Sequence, residues 1–197
     1  MKQWNKAVLI AMTAATLSSA NATLDKGWYI AANLGSTDVE IGVSNLTGTA
    51  RLDESSFGGK LLMGYEFKPY LAMEGFIASL GTATIEGTTG DTFQYQNTTY
   101  VFGSFGEAEF STGSIGVAAK LMLPLGDSFR FYGKAGVQAW ALTNNTTAID
   151  DETGGGTYLG GGMSVDLTDT LTLSIDYDEY ELEETASMTS LGLQYNF

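Results

Sequence analysis

Residues 115–137 read IGVAAKLMLPLGDSFRFYGKAGV, and the parity of this stretch decides the fold. Ile115, Val117, Ala119, Leu121 and Leu123 alternate with Gly116, Ala118 and Lys120. After a short break at 124–127, opened by Pro124, the pattern resumes. Phe129, Phe131, Ala135 and Val137 now alternate with Arg130, Tyr132 and Lys134. Period two is the mark of a strand with two unlike faces, and two such runs joined by a tight turn form an antiparallel hairpin. Lys120, Arg130 and Lys134 all fall on one parity, while the other carries no charge.

The same alternation recurs on both sides of this hairpin. Upstream it runs through Trp28, Ile30, Ala32 and Leu34, then through Phe57, Leu61, Met63, Tyr65 and Phe67, where Leu62 breaks the rule. Leu71, Met73 and Ile77 give the weakest case, because Phe76 and Leu80 sit on the polar parity. Downstream it runs through Leu159–Leu167, Leu171–Tyr177 and Leu191–Phe197. The connections are read at 36–56, 68–70, 81–109, 124–127, 143–155, 168–169 and 182–184. Long links alternate with tight ones, as they must when neighbouring strands run in opposite directions. The expectation is an all-β, eight-stranded antiparallel up-and-down barrel, since eight strands suffice to close a sheet.

Composition narrows the class. A chain of 197 residues suits one domain, and its 16% of charged residues is well below the roughly 25% of soluble domains. It has no His and no Cys, which removes the usual zinc and iron–sulfur sites, the Cys–His dyad and the Ser–His–Asp triad. The start of the chain reads as an address. Lys2 and Lys6 precede an uncharged apolar run from Ala7 to Leu17, and Ala20-Asn21-Ala22 supplies the small residues of a cleavage site. That run is too short to cross ~30 Å of hydrocarbon, so 1–22 is expected to be a signal peptide and 23–197 the exported barrel. Loss of Lys2 and Lys6 takes the chain from 9 cations to 7 against 23 acids, and the net charge from −14 to −16. So acidic a protein is not expected to bind nucleic acid, which requires Lys and Arg.

A soluble calyx and a membrane barrel share this alternation, so the charges must decide which face is outside. The polar parity carries about one charge per strand: Lys60, Glu66, Glu74, Lys120, Arg130, Lys134, Asp166 and Asp176. Otherwise it is read as Gly, Ala, Ser, Thr, Asn and Gln, too bare for an outer skin in water but suitable as the lining of a narrow lumen. Four cations against four acids suit burial in pairs. Trp28, Tyr65, Phe67, Phe129, Phe131, Tyr195 and Phe197 fall near the tight-turn end of the apolar parity, as a girdle at a lipid–water boundary would. The transmembrane barrel is therefore expected. Counting from the tight turns puts Glu66, Arg130 and Asp166 in one layer, and Glu74, Lys120, Lys134 and Asp176 in a second, with Lys60 above. Glu74 is expected to pair with Lys120 and Asp176 with Lys134, leaving no continuous pore.

Gly192-Leu193-Gln194-Tyr195-Asn196-Phe197 reads Gly-x-x-aromatic-x-aromatic, and resembles the C-terminal signal by which outer-membrane barrels are assembled. Such a strand can be captured by strand addition, which makes Gly192, Tyr195 and Phe197 candidates for contact with the assembly machinery. Met63-Gly64-Tyr65-Glu66-Phe67-Lys68-Pro69-Tyr70 with Met73-Glu74-Gly75 is similar to the second hairpin of the transmembrane domain of the OmpA family. So are Ala119-Lys120-Leu121 with Pro124, Tyr132-Gly133-Lys134-Ala135-Gly136 and Trp140. The resemblance implies a porin-like barrel of the outer membrane in which Glu74 and Lys120 match a gating pair. Ser174 stands where that family's cluster has an arginine, and Ser164 where it has a second glutamate, so the family's gate is incomplete here. The chain ends at its last strand, and no periplasmic cell-wall-binding domain is expected.

Two function classes follow. One is a non-catalytic structural or interaction role, with surface loops displayed for adhesion or envelope integrity. The alternative is a narrow channel for ions or small solutes. Neither needs a cofactor or a metal. The acidic stretch Asp176–Glu184 reads as a solvated hairpin tip, with oxygen ligation of Ca²⁺ or Mg²⁺ as the other possibility. Expected partners are outer-membrane lipid and lipopolysaccharide, the barrel assembly machinery and a surface ligand held by the loops. The barrel is expected to be monomeric, with both mature termini in the periplasm. Asn45, Asn97 and Asn144 head Asn-x-Ser/Thr motifs that mark exposed loops.

Overall fold

The computed structural model describes residues 27–95, 98–103, 106–144 and 151–197. The leader expected at 1–22 and the motif at Asn97 lie outside them. Among the described residues the strands are β1 Trp28–Val39, β2 Val43–Ser44, β3 Arg51–Asp53, β4 Ser55–Lys68, β5 Leu71–Gly87 and β6 Thr92–Tyr95. They continue as β7 Thr98–Val101, β8 Gly106–Leu125, β9 Phe129–Asn144, β10 Glu152–Asp166, β11 Leu171–Glu181 and β12 Thr185–Asn196.

Eight of these form the barrel. β1 pairs with β4 on one side and β12 on the other, and the remaining pairs are β4–β5, β5–β8, β8–β9, β9–β10, β10–β11 and β11–β12. All are antiparallel, so the expected eight-stranded up-and-down barrel is the fold. Closure leaves the ring without a free edge. At the seam Ile30 faces Tyr195 and Leu34 faces Leu191. The Phe197 amide donates to the Trp28 carbonyl at 3.0 Å, bringing the two ends of the ring together at the tight-turn rim.

Two corrections concern where the strands end and what they carry. The expected loops 36–56 and 81–109 are largely strand: β1 runs to Val39, β4 starts at Ser55, β5 runs to Gly87 and β8 starts at Gly106. In the lower barrel Met73, Ile77, Ile115 and Val117 point outward. In the upper extension the preference inverts. Ala83, Ile85, Ala108 and Phe110 are buried inside, while Glu86, Glu107 and Glu109 face out. The outer medium changes from one that takes apolar groups to water, and the apolar face changes sides with it. A register shift between Ser79 and Thr82 resets the parity of β5 at this level. The second correction is that the lumen is not uniformly small and polar. Leu62, Phe76 and Leu80, which spoiled the alternation, point inward and are buried. Tyr29, Tyr158 and Tyr180 also point inward and are buried.

β2, β6 and β7 form a separate three-stranded sheet over the long-loop end. Tyr95 of this lid packs 5.5 Å from Phe110 of the barrel wall, and Phe93 packs 5.2 Å from Phe102. Phe102 lies across Gly106, where an added Cβ would run into its ring, so glycine is what admits the aromatic. The Asp91 carboxylate accepts hydrogen bonds from the amide and hydroxyl of both Thr49 and Thr88, tying the first loop to the second. These bonds, the Thr49 hydroxyl's first, hold its pKa down at about 2.

Because every barrel strand is paired on both sides, unfolding has no edge from which to begin. The folded protein is expected to migrate faster than the boiled protein in a dodecyl sulfate gel; equal mobility would contradict a closed ring.

Candidate functional site

The charged groups of the lumen lie in two clusters. Nearest the tight turns, Arg130 of β9 reaches both Glu66 of β4 at 3.5 Å and Asp166 of β10, whose carboxylate also accepts the Thr172 hydroxyl at 2.6 Å. Higher up, Lys120 of β8 lies 3.1 Å from Glu74 of β5. Lys134 of β9 lies 2.5 Å from Asp176 and 3.9 Å from Glu74. Strand pairing sets these contacts, because Lys120 is opposite Lys134 on β8–β9 and opposite Ala72 on β8–β5. Two cations placed side by side need carboxylates from the next strands to offset their repulsion.

Lys60 pairs with Asp178, a residue absent from the expected set. Asp178 is fully buried and lies 3.8 Å from Lys134, so it belongs to the lumen and not to a solvated hairpin tip. The lumen thus holds a fifth acid beside the four expected. Its parity with Asp176 was the available signal. That signal was lost because the outward position after Tyr177 is Glu179, which ended the apolar alternation.

Hydroxyls and amides complete the middle cluster. Tyr29 donates to Glu74 at 2.7 Å, Tyr158 to Asp178 at 2.5 Å, and Asn33 and Ser174 to Asp176 at 2.9 and 2.8 Å. The Lys120 ammonium also sits over the Tyr132 ring, 4.3 Å from its centroid. Such contacts matter because a buried charge is tolerated only when it is both paired and hydrogen-bonded.

Aromatic rings pack beside the Lys60–Asp178 pair. Phe76 lies 4.5 Å from Tyr158 and 6.1 Å from Tyr180, centroid to centroid, and the two tyrosines lie 5.2 Å apart. Leu80 and Met188 are buried in the same core. From the tight-turn end upward the lumen therefore passes from one ion cluster to a second, whose Lys60–Asp178 pair lies among these rings, and then to the lid.

The C-terminal candidates divide between the two faces. Tyr195 and Phe197 are exposed on the outer face, edge to face at 5.4 Å. Gly192 faces the lumen, where a Cβ would collide with Ser174 and Asn33, both donors to Asp176. The other girdle aromatics pair likewise at the tight-turn rim: Trp28 with Tyr65 at 5.2 Å and Phe129 with Phe131 at 5.2 Å.

The family model described as "Outer membrane protein beta-barrel domain" matches residues 7–197. Outer membrane protein A of Klebsiella aerogenes is 25% identical over 211 residues, covering 100% of this chain and 56% of that protein. The chain thus spans little more than half the length of this curated relative. The N-terminal β-barrel domain of Pseudomonas aeruginosa OprF has a TM-score of 0.54 at 15% identity, covering 87% of this chain and 99% of that one. Ail, the attachment invasion locus protein of Yersinia pestis, in complex with the heparin analogue sucrose octasulfate, has a TM-score of 0.52 at 14% identity with the same coverages.

Proposed function

Since the chain belongs to the outer membrane protein β-barrel family and resides in the outer membrane, we propose that it is a sealed, non-catalytic scaffold that presents its long loops at the cell surface. The observation that carries this reading is the packing of Phe76, Tyr158 and Tyr180 inside the lumen beside the buried Lys60–Asp178 pair. A ring of eight strands is only wide enough for side chains to fill, and here ion pairs and aromatic rings fill it. The absence of His and Cys from the chain supports a role without catalysis.

The remaining assignments follow the same reading. The tight turns and both ends of the barrel face the periplasm, and residues 1–22 serve as the export signal. The outward apolar band meets lipid and lipopolysaccharide, and the closed ring works as a monomer. The assembly machinery engages β12 through Tyr195 and Phe197, with Gly192 on its inner face. Ail was crystallised with a polyanion, but charge argues against a polyanion here. Of the nine Lys and Arg, only Arg51 lies in the long-loop segments, and it is 3.3 Å from Glu86.

Planar-bilayer recording of the refolded barrel tests the sealed lumen. No discrete conductance steps are expected. Steady single-channel steps from the wild-type protein would overturn this reading in favour of a narrow channel.

A further inference from the structure

A cavity of about 480 Å³ opens at the long-loop rim, between the lid and the upper ends of β9 and β10. Ile41 and Leu142 give it a buried apolar floor, and Tyr95 and Trp140 give it aromatic walls. Glu40, Glu152, Glu183 and Glu184 contribute the charges, and no Lys or Arg lines it. The Tyr95 hydroxyl donates to Glu152 Oε1 at 2.7 Å and fixes that carboxylate at the wall. Burial, followed by the bond to Glu152 and the charges of Glu152 and Glu183, pushes the Tyr95 phenol pKa up. The Trp140 indole N–H is buried, with no acceptor among the described residues. None of these residues belongs to the lumen clusters, and the scaffold role accounts for none of them.

We infer that this cavity receives an arginine or lysine side chain from a basic peptide segment of a surface partner. The inference rests on the proposed placement of the long loops at the cell surface. A volume of this size lies within the range of small-ligand sites. The apolar floor suits the methylene stem of a long cationic side chain, and the aromatic walls suit its charged head. Carboxylates at the rim supply charge-assisted hydrogen bonds. Among the described residues no three carboxylates converge as metal ligands.

The test is a fluorescence-anisotropy titration of the refolded barrel, in zwitterionic phosphatidylcholine nanodiscs, with a short labelled arginine–glycine peptide. Saturable binding that weakens as salt rises is expected. Glu152→Gln and Trp140→Leu should each weaken it roughly tenfold, as for loss of one contact to a charged group. Glu107→Gln, on the outer face of β8 away from the cavity, should leave it unchanged. The faster-migrating unboiled band certifies the fold of each variant. Absence of saturable binding to the wild type would overturn the inference. So would equal weakening by Glu107→Gln, which would indicate diffuse attraction. Competition by magnesium chloride far beyond sodium chloride at equal ionic strength would reassign the cavity to a divalent ion. A silent bilayer recording with no peptide binding defeats this inference alone; conductance steps with peptide binding defeat only the sealed scaffold.

Discussion

Lys134→Met is expected to destabilise the barrel by about 3–5 kcal/mol, the range for removing one partner of a buried ion pair. Its side chain is 1% exposed and stands between Asp176 at 2.5 Å, Asp178 at 3.8 Å and Glu74 at 3.9 Å. Without it Glu74 keeps Lys120 and Asp178 keeps Lys60, but Asp176 is left with neutral donors such as Asn33 and Ser174. Adding Asp176→Asn to Lys134→Met should therefore recover much of the loss. The companion cycle, Glu74→Gln with Lys120→Met, should also be less than additive, by a smaller margin because Lys134 still reaches position 74. Urea unfolding in lipid measures both cycles. Strictly additive losses for Lys134 and Asp176 would mean that the middle cluster is not a network.

The second large effect concerns biogenesis. Changing both Tyr195 and Phe197 to Ser should remove most of the protein from the outer-membrane fraction and send it to periplasmic degradation. The two rings meet edge to face on the outer surface of the last strand and belong to the aromatic rim shared with Trp28 and Tyr65. Their loss removes apolar area where the barrel meets the membrane boundary and also removes the proposed recognition feature. Heat modifiability of whatever remains separates the two causes. If assembly is what fails, the small amount that reaches the membrane will still show the faster unboiled band. Wild-type levels of the double substitution would defeat the assignment.

Strand number, order and the charged register were legible because in the lower barrel the outward positions are apolar and the charges all fall on the inward parity. Glu66, Arg130 and Asp166 meet at the level that counting from the tight turns gives, as do Glu74 with Lys120 and Asp176 with Lys134. What escaped lies where the rule changes. Above Ser79 the outer face is Thr and Glu and the inner face is Ala, Ile and Phe. A search for outward apolar residues therefore reads strand as loop. Phe76 and Leu80 looked like defects of the fifth strand because lumen filling and lipid contact place the same residue types on opposite parities. Asp178 was lost at this transition too, one step above the last apolar outward residue of β11. The lid and the rim cavity depend on pairing between segments distant in sequence, such as Val43 with Tyr95, which no local pattern encodes.

That lid has a consequence for how the molecule can diversify. Val43 and Ser44 pair with Tyr95 and Gln94, the Thr47 amide donates to the Thr92 carbonyl at 3.0 Å, and Asp91 holds Thr49. The first two long loops are therefore mechanically one piece. An insertion into the first would be transmitted through the shared sheet to the second, and either loop redesigned alone would lose its partner's pairing. Epitope grafting would have to replace both loops together.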